Sequence, residues 1–120
     1  MGYRIKEVAE RTNCSEHTLR FYEKEKLIPP VKRNSAGIRE YTDHDIECIF
    51  SVICLKNTGM GLTEVKKFVE LLTQGPSTYA QQREIVLHQK QIIENKIEEL
   101  QKELIHIEKK IHFYDTALSK

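Results

Sequence analysis

Between Thr18 and Tyr41 the chain gathers side chains that donate hydrogen bonds to anions. They are Thr18-Leu19-Arg20-Phe21-Tyr22-Glu23, a Lys32-Arg33 pair after Leu27-Ile28-Pro29-Pro30, and the run Gly37-Ile38-Arg39-Glu40-Tyr41. Such donors suit a nucleic-acid duplex, whose phosphates take the charged groups and whose base edges take well-placed polar ones. One candidate set is His17, Thr18, Arg20 and Tyr22; a second is Lys32, Arg33, Arg39 and Tyr41, with Arg4 and Lys66 weaker. The competing reading is a solvated helix face followed by a hairpin whose charges only confer solubility. Leu19, Phe21 and Leu27 read as core, because their spacing turns them toward the preceding helix.

These donors need rigid carriers. Ile5 to Glu10 has apolar residues three and four apart and predicts a first short helix, broken at Thr12-Asn13-Cys14. Ser15 is placed to cap a second helix running to about Lys26, and two short helices across so tight a turn read as helix-turn-helix. Pro29-Pro30 forbids further helix, and residues 31–33 and 38–41 read as the strands of a β-hairpin wing joined by Asn34-Ser35-Ala36-Gly37. Thr42 or Asp43 caps a third helix with an apolar stripe of Ile46, Ile49, Phe50 and Ile53. After Gly59-Met60-Gly61 a fourth helix, with Thr63 as its candidate cap, turns Val65, Phe68, Val69 and Leu72 inward and ends at Gly75-Pro76.

From about Thr78 to Leu118 there is neither Gly nor Pro. Ile93, Ile97, Leu100, Leu104, Ile107, Ile111, Tyr114 and Leu118 recur in alternating steps of four and three, a coiled-coil seam. Lys90 interrupts the pattern, so the stretch before it is expected to pack on the head. The fold class is therefore mainly α: a winged helix-turn-helix head over 1–75 and a dimerisation helix over 76–120.

The formal net charge of +1 over 120 residues conceals an uneven distribution. Residues 1–42 carry nine Lys/Arg against six Asp/Glu, residues 43–75 three against five, and residues 76–120 seven of each. The base-rich part is the part with the donor-rich segments, but the excess is modest, so affinity must come from placement and dimerisation more than from bulk charge. No apolar run approaches the ~18 residues of a membrane span, and the first eleven residues read as helix and turn instead of a signal peptide, which predicts a cytoplasmic protein. No paired carboxylates, nucleophile–base arrangement or phosphate loop suggests an enzyme. Neither the cysteines Cys14, Cys48 and Cys54 nor the histidines, His106 and His112 included, have metal-ligand spacing, so no metal or other cofactor is expected.

The segments quoted above resemble the winged-helix DNA-binding domain of the MerR family of transcription regulators, closely through about the first 75 residues and more loosely through the tail. The resemblance implies that Arg20 and Tyr22 bind the DNA backbone, that His17 and Thr18 approach base edges, and that Arg33, Arg39 and Tyr41, with Lys32, bind phosphate. It makes the loop from Gly59 to Leu62 a second wing and the tail half of an antiparallel coiled coil in a homodimer. Its implied partners are double-stranded promoter DNA with an inverted repeat and the RNA polymerase at that promoter. Members of the family bend and untwist a promoter with a long spacer until polymerase can engage both of its elements.

Departures from the family pattern narrow the signal. With no cysteine after Cys54, the far-end thiolates of the mercury, copper and zinc sensors are missing, and 120 residues leave no room for the large extra domain of the multidrug sensors. What remains resembles the small thiol-dependent subgroup that responds to aldehydes or other electrophiles through one cysteine at the position of Cys54. Helical geometry puts Cys54 at the edge of the Ile46/Ile49/Phe50/Ile53 stripe and Cys48 on the opposite side with Val52 and Leu55. Against the sensing role stands the ordinary use of cysteine as a small buried hydrophobe. Two other classes stay open: an architectural or recombination accessory DNA-binding protein with the same head, and an interaction protein in which the coiled coil does the work.

Overall fold

A computed structural model of the chain describes residues 2–120. The order is α1 (Ile5–Thr12), α2 (Glu16–Lys24), β1 (Lys32–Arg33), β2 (Arg39–Glu40), α3 (Asp43–Asn57), α4 (Leu62–Gln74), a 3-10 turn (Gly75–Thr78) and α5 (Tyr79–Leu118). The mainly helical, winged helix-turn-helix class expected from the sequence is the observed one.

Local chemistry sets each boundary. Ser15 caps α2 by accepting a hydrogen bond from the Thr18 amide. The helix stops two residues short of the expected Lys26, which takes a left-handed conformation (φ 59°) while the Leu27 amide reaches back to Tyr22 O at 2.7 Å and the Lys26 amide to Glu23 O at 3.2 Å. That is a Schellman ending, with the two prolines just beyond it. Of the two candidate caps for α3, Thr42 is used. Its hydroxyl accepts from the Asp45 amide at 3.0 Å, and the Asp45 carboxylate accepts from the Thr42 amide at 2.9 Å, a reciprocal capping box. Thr63 does not cap α4; Gly61 holds that position and Thr63 lies inside the helix.

Strands β1 and β2 pair antiparallel with Lys32 opposite Glu40 and Arg33 opposite Arg39. The Asn34 carboxamide closes the turn by accepting from the amides of Ala36 and Ile38. An unanticipated contact extends the hairpin: Tyr3 and Tyr41 exchange both backbone hydrogen bonds, at 2.7 and 2.9 Å, which fastens the N-terminal segment to the wing.

The core draws Val8 from α1, Leu19 from α2, Leu27 and Ile28 from the connection, Ile49 and Val52 from α3 and Val65 from α4, each no more than 2% exposed. Helix α3 packs against both α1 and α4, so its buried arc is wide. It buries Ile46, Cys48, Ile49, Val52 and Leu55, whereas Phe50 is 42% exposed. The expected stripe was therefore misplaced: Cys48 belongs to the inner face and Phe50 to the outer one. As expected, α4 buries Val65, Phe68 and Val69.

Helix α5 is 40 residues long, ~60 Å at 1.5 Å per residue. The chain divides into two compact units, residues up to Val86 and Leu87–Lys120. That boundary lies within α5 and not at Gly75-Pro76, because the first turns of the helix are tied to the head. Thr78 Oγ1 donates to Leu71 O at 2.6 Å, Gln82 Nε2 donates to the same carbonyl at 3.3 Å, and Ile85 packs on the core. In the second unit Ile97, Leu100, Leu104, Ile107, Ile111, Tyr114 and Leu118 are each at least 50% exposed.

Candidate nucleic-acid interface

Helix α2 buries Leu19 and turns His17, Arg20, Phe21 and Lys24 outward. These are positions i, i+3, i+4 and i+7, one face of a helix. Arg20 is half exposed and held along the helix by Glu16 at 3.2 Å, a weak surface pair that an incoming phosphate can replace. Thr18 is half-buried, and its hydroxyl accepts from Ser15 Oγ at 2.8 Å, so part of its polar capacity serves the helix start. Tyr22 lies on the flank of α2. Its hydroxyl accepts from Lys56 Nζ of α3 at 2.7 Å, and the same ammonium lies 4.2 Å from its ring centroid. Tyr22 and Lys56 line a cleft of about 400 Å³ with Thr12, Asn13, Cys14 and Phe50.

In the wing, Lys32 and Arg33 are exposed, and Arg33 Nη1 donates to Gly37 O at 2.9 Å, bracing the hairpin. Arg39 is mostly covered. Its Nε donates to Glu23 Oε1 at 2.6 Å, and the other carboxylate oxygen of Glu23 accepts from the Val31 amide at 3.3 Å. Glu23 thus ties α2 to β2 and to Val31, the residue just before β1, and the basic groups of the two elements are held in one arrangement.

Tyr41, expected at the phosphates, is a core residue with 0% exposure. The period-2 alternation of the wing strand turns it inward, against the N-terminal segment that pairs with its backbone. Among the described residues its enclosed hydroxyl meets no hydrogen-bond partner. Burial, and next the Glu23 carboxylate, raise its pKa above the usual 10.0. A folded-state value above the unfolded one contributes stability that is complete below about pH 10 and is lost as pH rises through the folded value. Tyr41→Phe is expected to stabilise the protein by about 1 kcal/mol at pH 7, since it removes an enclosed polar group without a partner. It should also flatten the loss of stability above pH 10; urea unfolding of both proteins at the two pH values is the check. A variant less stable at pH 7 would show that the hydroxyl is satisfied in solution.

Sequence reading missed three residues of this surface. Phe21 was assigned to the core but is 50% exposed. Lys24 completes the 17/20/21/24 face, a spacing that was available to find it. Lys56 had no local signal, because its partner Tyr22 is 34 residues away. The weaker candidates Arg4 and Lys66 are both exposed.

The cysteines occupy three environments: Cys48 buried, Cys14 intermediate and Cys54 exposed. Burial first, then the carboxylates of Asp45 and Glu47, push the Cys48 thiol up, away from the thiolate that reacts. Among the described residues no three His, Cys, Asp or Glu side chains gather to hold a metal ion, and no helix is long and apolar enough to cross a membrane.

Comparison with known proteins agrees with this geometry. Residues 3–72 match the family model described as MerR HTH family regulatory protein. An uncharacterized HTH-type transcriptional regulator of Haemophilus influenzae is 38% identical, the alignment covering 98% of this chain and 87% of that protein. Among solved structures, HiNmlR, a MerR family regulator lacking the sensor domain and bound to promoter DNA, superposes with a TM-score of 0.86 at 37% identity, covering 99% of this chain and 94% of that one. A MerR family transcriptional regulator from Bacillus thuringiensis gives 0.82 at 30% identity, covering 92% and 97%.

Proposed function

We propose, from the premise that this chain belongs to the MerR family of helix-turn-helix regulatory proteins, that it binds an inverted-repeat promoter as a homodimer and distorts it in response to a thiol-reactive electrophile. That the chain is a DNA-binding transcriptional regulator and not an enzyme follows from the family itself. The observation that carries the finer reading is the pairing of an outward basic face on α2 with an outward basic wing, on a chain whose α5 seam is exposed.

Two α2 helices brought together by paired α5 seams would enter major grooves about one helical turn, ~34 Å, or a multiple apart. His17, Arg20, Lys24, Lys32 and Arg33 carry the polar contacts, Tyr22 with Lys56 adds a braced donor at the flank, and Arg39 acts through Glu23 as a positioning residue. Bending a site of this length costs ~1 to 6 kcal/mol by elastic estimates. The signal therefore needs only to shift the balance between two dimer geometries by a comparable amount before polymerase can engage both promoter elements.

Cys54 supports the sensing role by its placement. Of the three thiols it alone is exposed, on the outer face of α3 one turn after the exposed Phe50. Its thiolate adds to the carbonyl carbon of an aldehyde, and the carbonyl oxygen takes up a proton from water, with no oxidant needed. The adduct adds bulk to a surface that a second copy's tail can cover.

The test is in vitro transcription from the promoter upstream of the chain's own gene, with wild type and Cys54→Ser, with and without a small reactive aldehyde. Both proteins should bind the promoter with a strong salt dependence, and wild type alone should respond to the aldehyde. An undiminished response in Cys54→Ser would remove the thiol mechanism while leaving the DNA-binding reading in place.

A further inference from the structure

We propose that Phe21 reads sequence in the operator by packing against the 5-methyl group of a thymine in the major groove. The inference rests on the reading of α2 as the groove-entering helix and deepens it. Its starting point is a phenylalanine half exposed on a short helix, outside the cluster that forms the core.

The surroundings of Phe21 say what would cover it. Arg20 and Lys24 are cations on the same outward face, and His17 stands one turn before it. An apolar ring edged by cations is a poor surface for an apolar protein segment, because covering it would strip water from those charges. It is a good surface for a polyanion, since the phosphates on either side neutralise the cations while the ring is pressed onto the bases. The other exposed apolar side chains of the head sit elsewhere: Ile38 on the wing, Phe50 on α3 and Leu62 at the start of α4.

The chemistry of the groove then selects the target. Base edges in the major groove present hydrogen-bond donors and acceptors, and the thymine methyl is the one apolar group among them. Phe21 has no donor and cannot use the other edges. It is the sixth of the nine residues of α2, one turn after His17 on the outward face of a helix type whose first turns reach base edges. Its ring is held at 54° to that of Tyr22 with centroids 6.4 Å apart, so it is braced from one side by a residue that Lys56 itself fixes.

The experiment is a titration of the promoter duplex, followed by anisotropy, in which each thymine in turn is replaced by deoxyuridine, which lacks only the methyl. Wild type should lose about fourfold in affinity per recognition helix at one thymine of each half-site, the equivalent of ~0.8 kcal/mol for one buried methyl group. Phe21→Ala should bind the unmodified duplex more weakly with the same salt slope, and should be indifferent to that replacement. Phe21→Leu, which keeps apolar surface, should retain part of the discrimination. If wild type binds with salt dependence and sequence preference but no thymine replacement matters, or if wild type and Phe21→Ala lose equally, Phe21 does not read a methyl and the groove assignment of α2 is untouched. If wild type shows no preference for the promoter duplex at any salt concentration, both the inference and the reading beneath it fall.

Discussion

Leu104→Lys is expected to leave the chain monomeric and to weaken operator binding by a factor on the order of 10² to 10⁴. Leu104 lies in the middle of the α5 seam and is 55% exposed in the single chain, with Leu100 and Ile107 at least as uncovered beside it. A helix of 40 residues with its apolar row in water gains little from that row unless another helix covers it. Burying one leucine is worth ~1.5 to 3 kcal/mol, and in a symmetric dimer each substitution is made twice. A lysine at that position costs the lost burial and adds the desolvation of two ammonium groups facing a hydrophobic row. The head should stay folded, because its core is formed within the unit that ends at Val86. A monomeric head still binds one half-site, so what disappears is the advantage of engaging two at once. Sedimentation equilibrium gives the mass and anisotropy titration the affinity. A dimer of undiminished affinity would mean that the seam is covered by something other than a second copy.

The seam, the helix-turn-helix and the hairpin were legible in the sequence because each rests on a local signal: a heptad period, a serine cap, a double proline followed by an Asn/Gly turn. The side of a helix that faces inward was less legible where two neighbours share it. Helix α3 meets α1 on one side and α4 on the other, and a single-stripe reading set Phe50 inside and Cys48 on the far side when the reverse holds. Phe21 was misread for a related reason. Leu19, with Tyr22 partly covered beside it, fills the place that α2 offers to the core, and nothing in the spacing says that the aromatic between them is excluded. Tyr41 was read as a surface donor from its resemblance to phosphate-binding positions, yet strand alternation and the pairing with Tyr3 enclose it. The ties from Glu23 to Arg39 and from Lys56 to Tyr22 span 16 and 34 residues, so no local pattern could announce them.

That contrast between neighbours on one helix gives the second large effect. Leu19→Ala is expected to destabilise the protein by ~2 to 5 kcal/mol, the range for deleting a fully buried leucine side chain. Leu19 is 0% exposed and belongs to the cluster that includes Val8 and Leu27, so the cavity would open where α1, α2 and the chain leading to the wing converge. Domains of this size have ~5 to 15 kcal/mol to lose, and each kcal/mol corresponds to ~4 to 8 °C in melting temperature. A fall of roughly 8 to 40 °C follows, with DNA binding lost in step as the folded fraction drops. Arg20→Ala, one residue further on, should do the opposite: it should weaken DNA binding and reduce the salt slope by about one per recognition helix, with the melting temperature nearly unchanged. Phe21→Ala should also leave the melt almost where it was. Thermal melts at one fixed protein concentration, which matters for a dimer, set beside anisotropy titrations, separate the two behaviours. If Leu19→Ala lost DNA binding without losing stability, the inner and outer faces of α2 would have to be exchanged, and with them every contact assigned to His17, Arg20, Phe21 and Lys24.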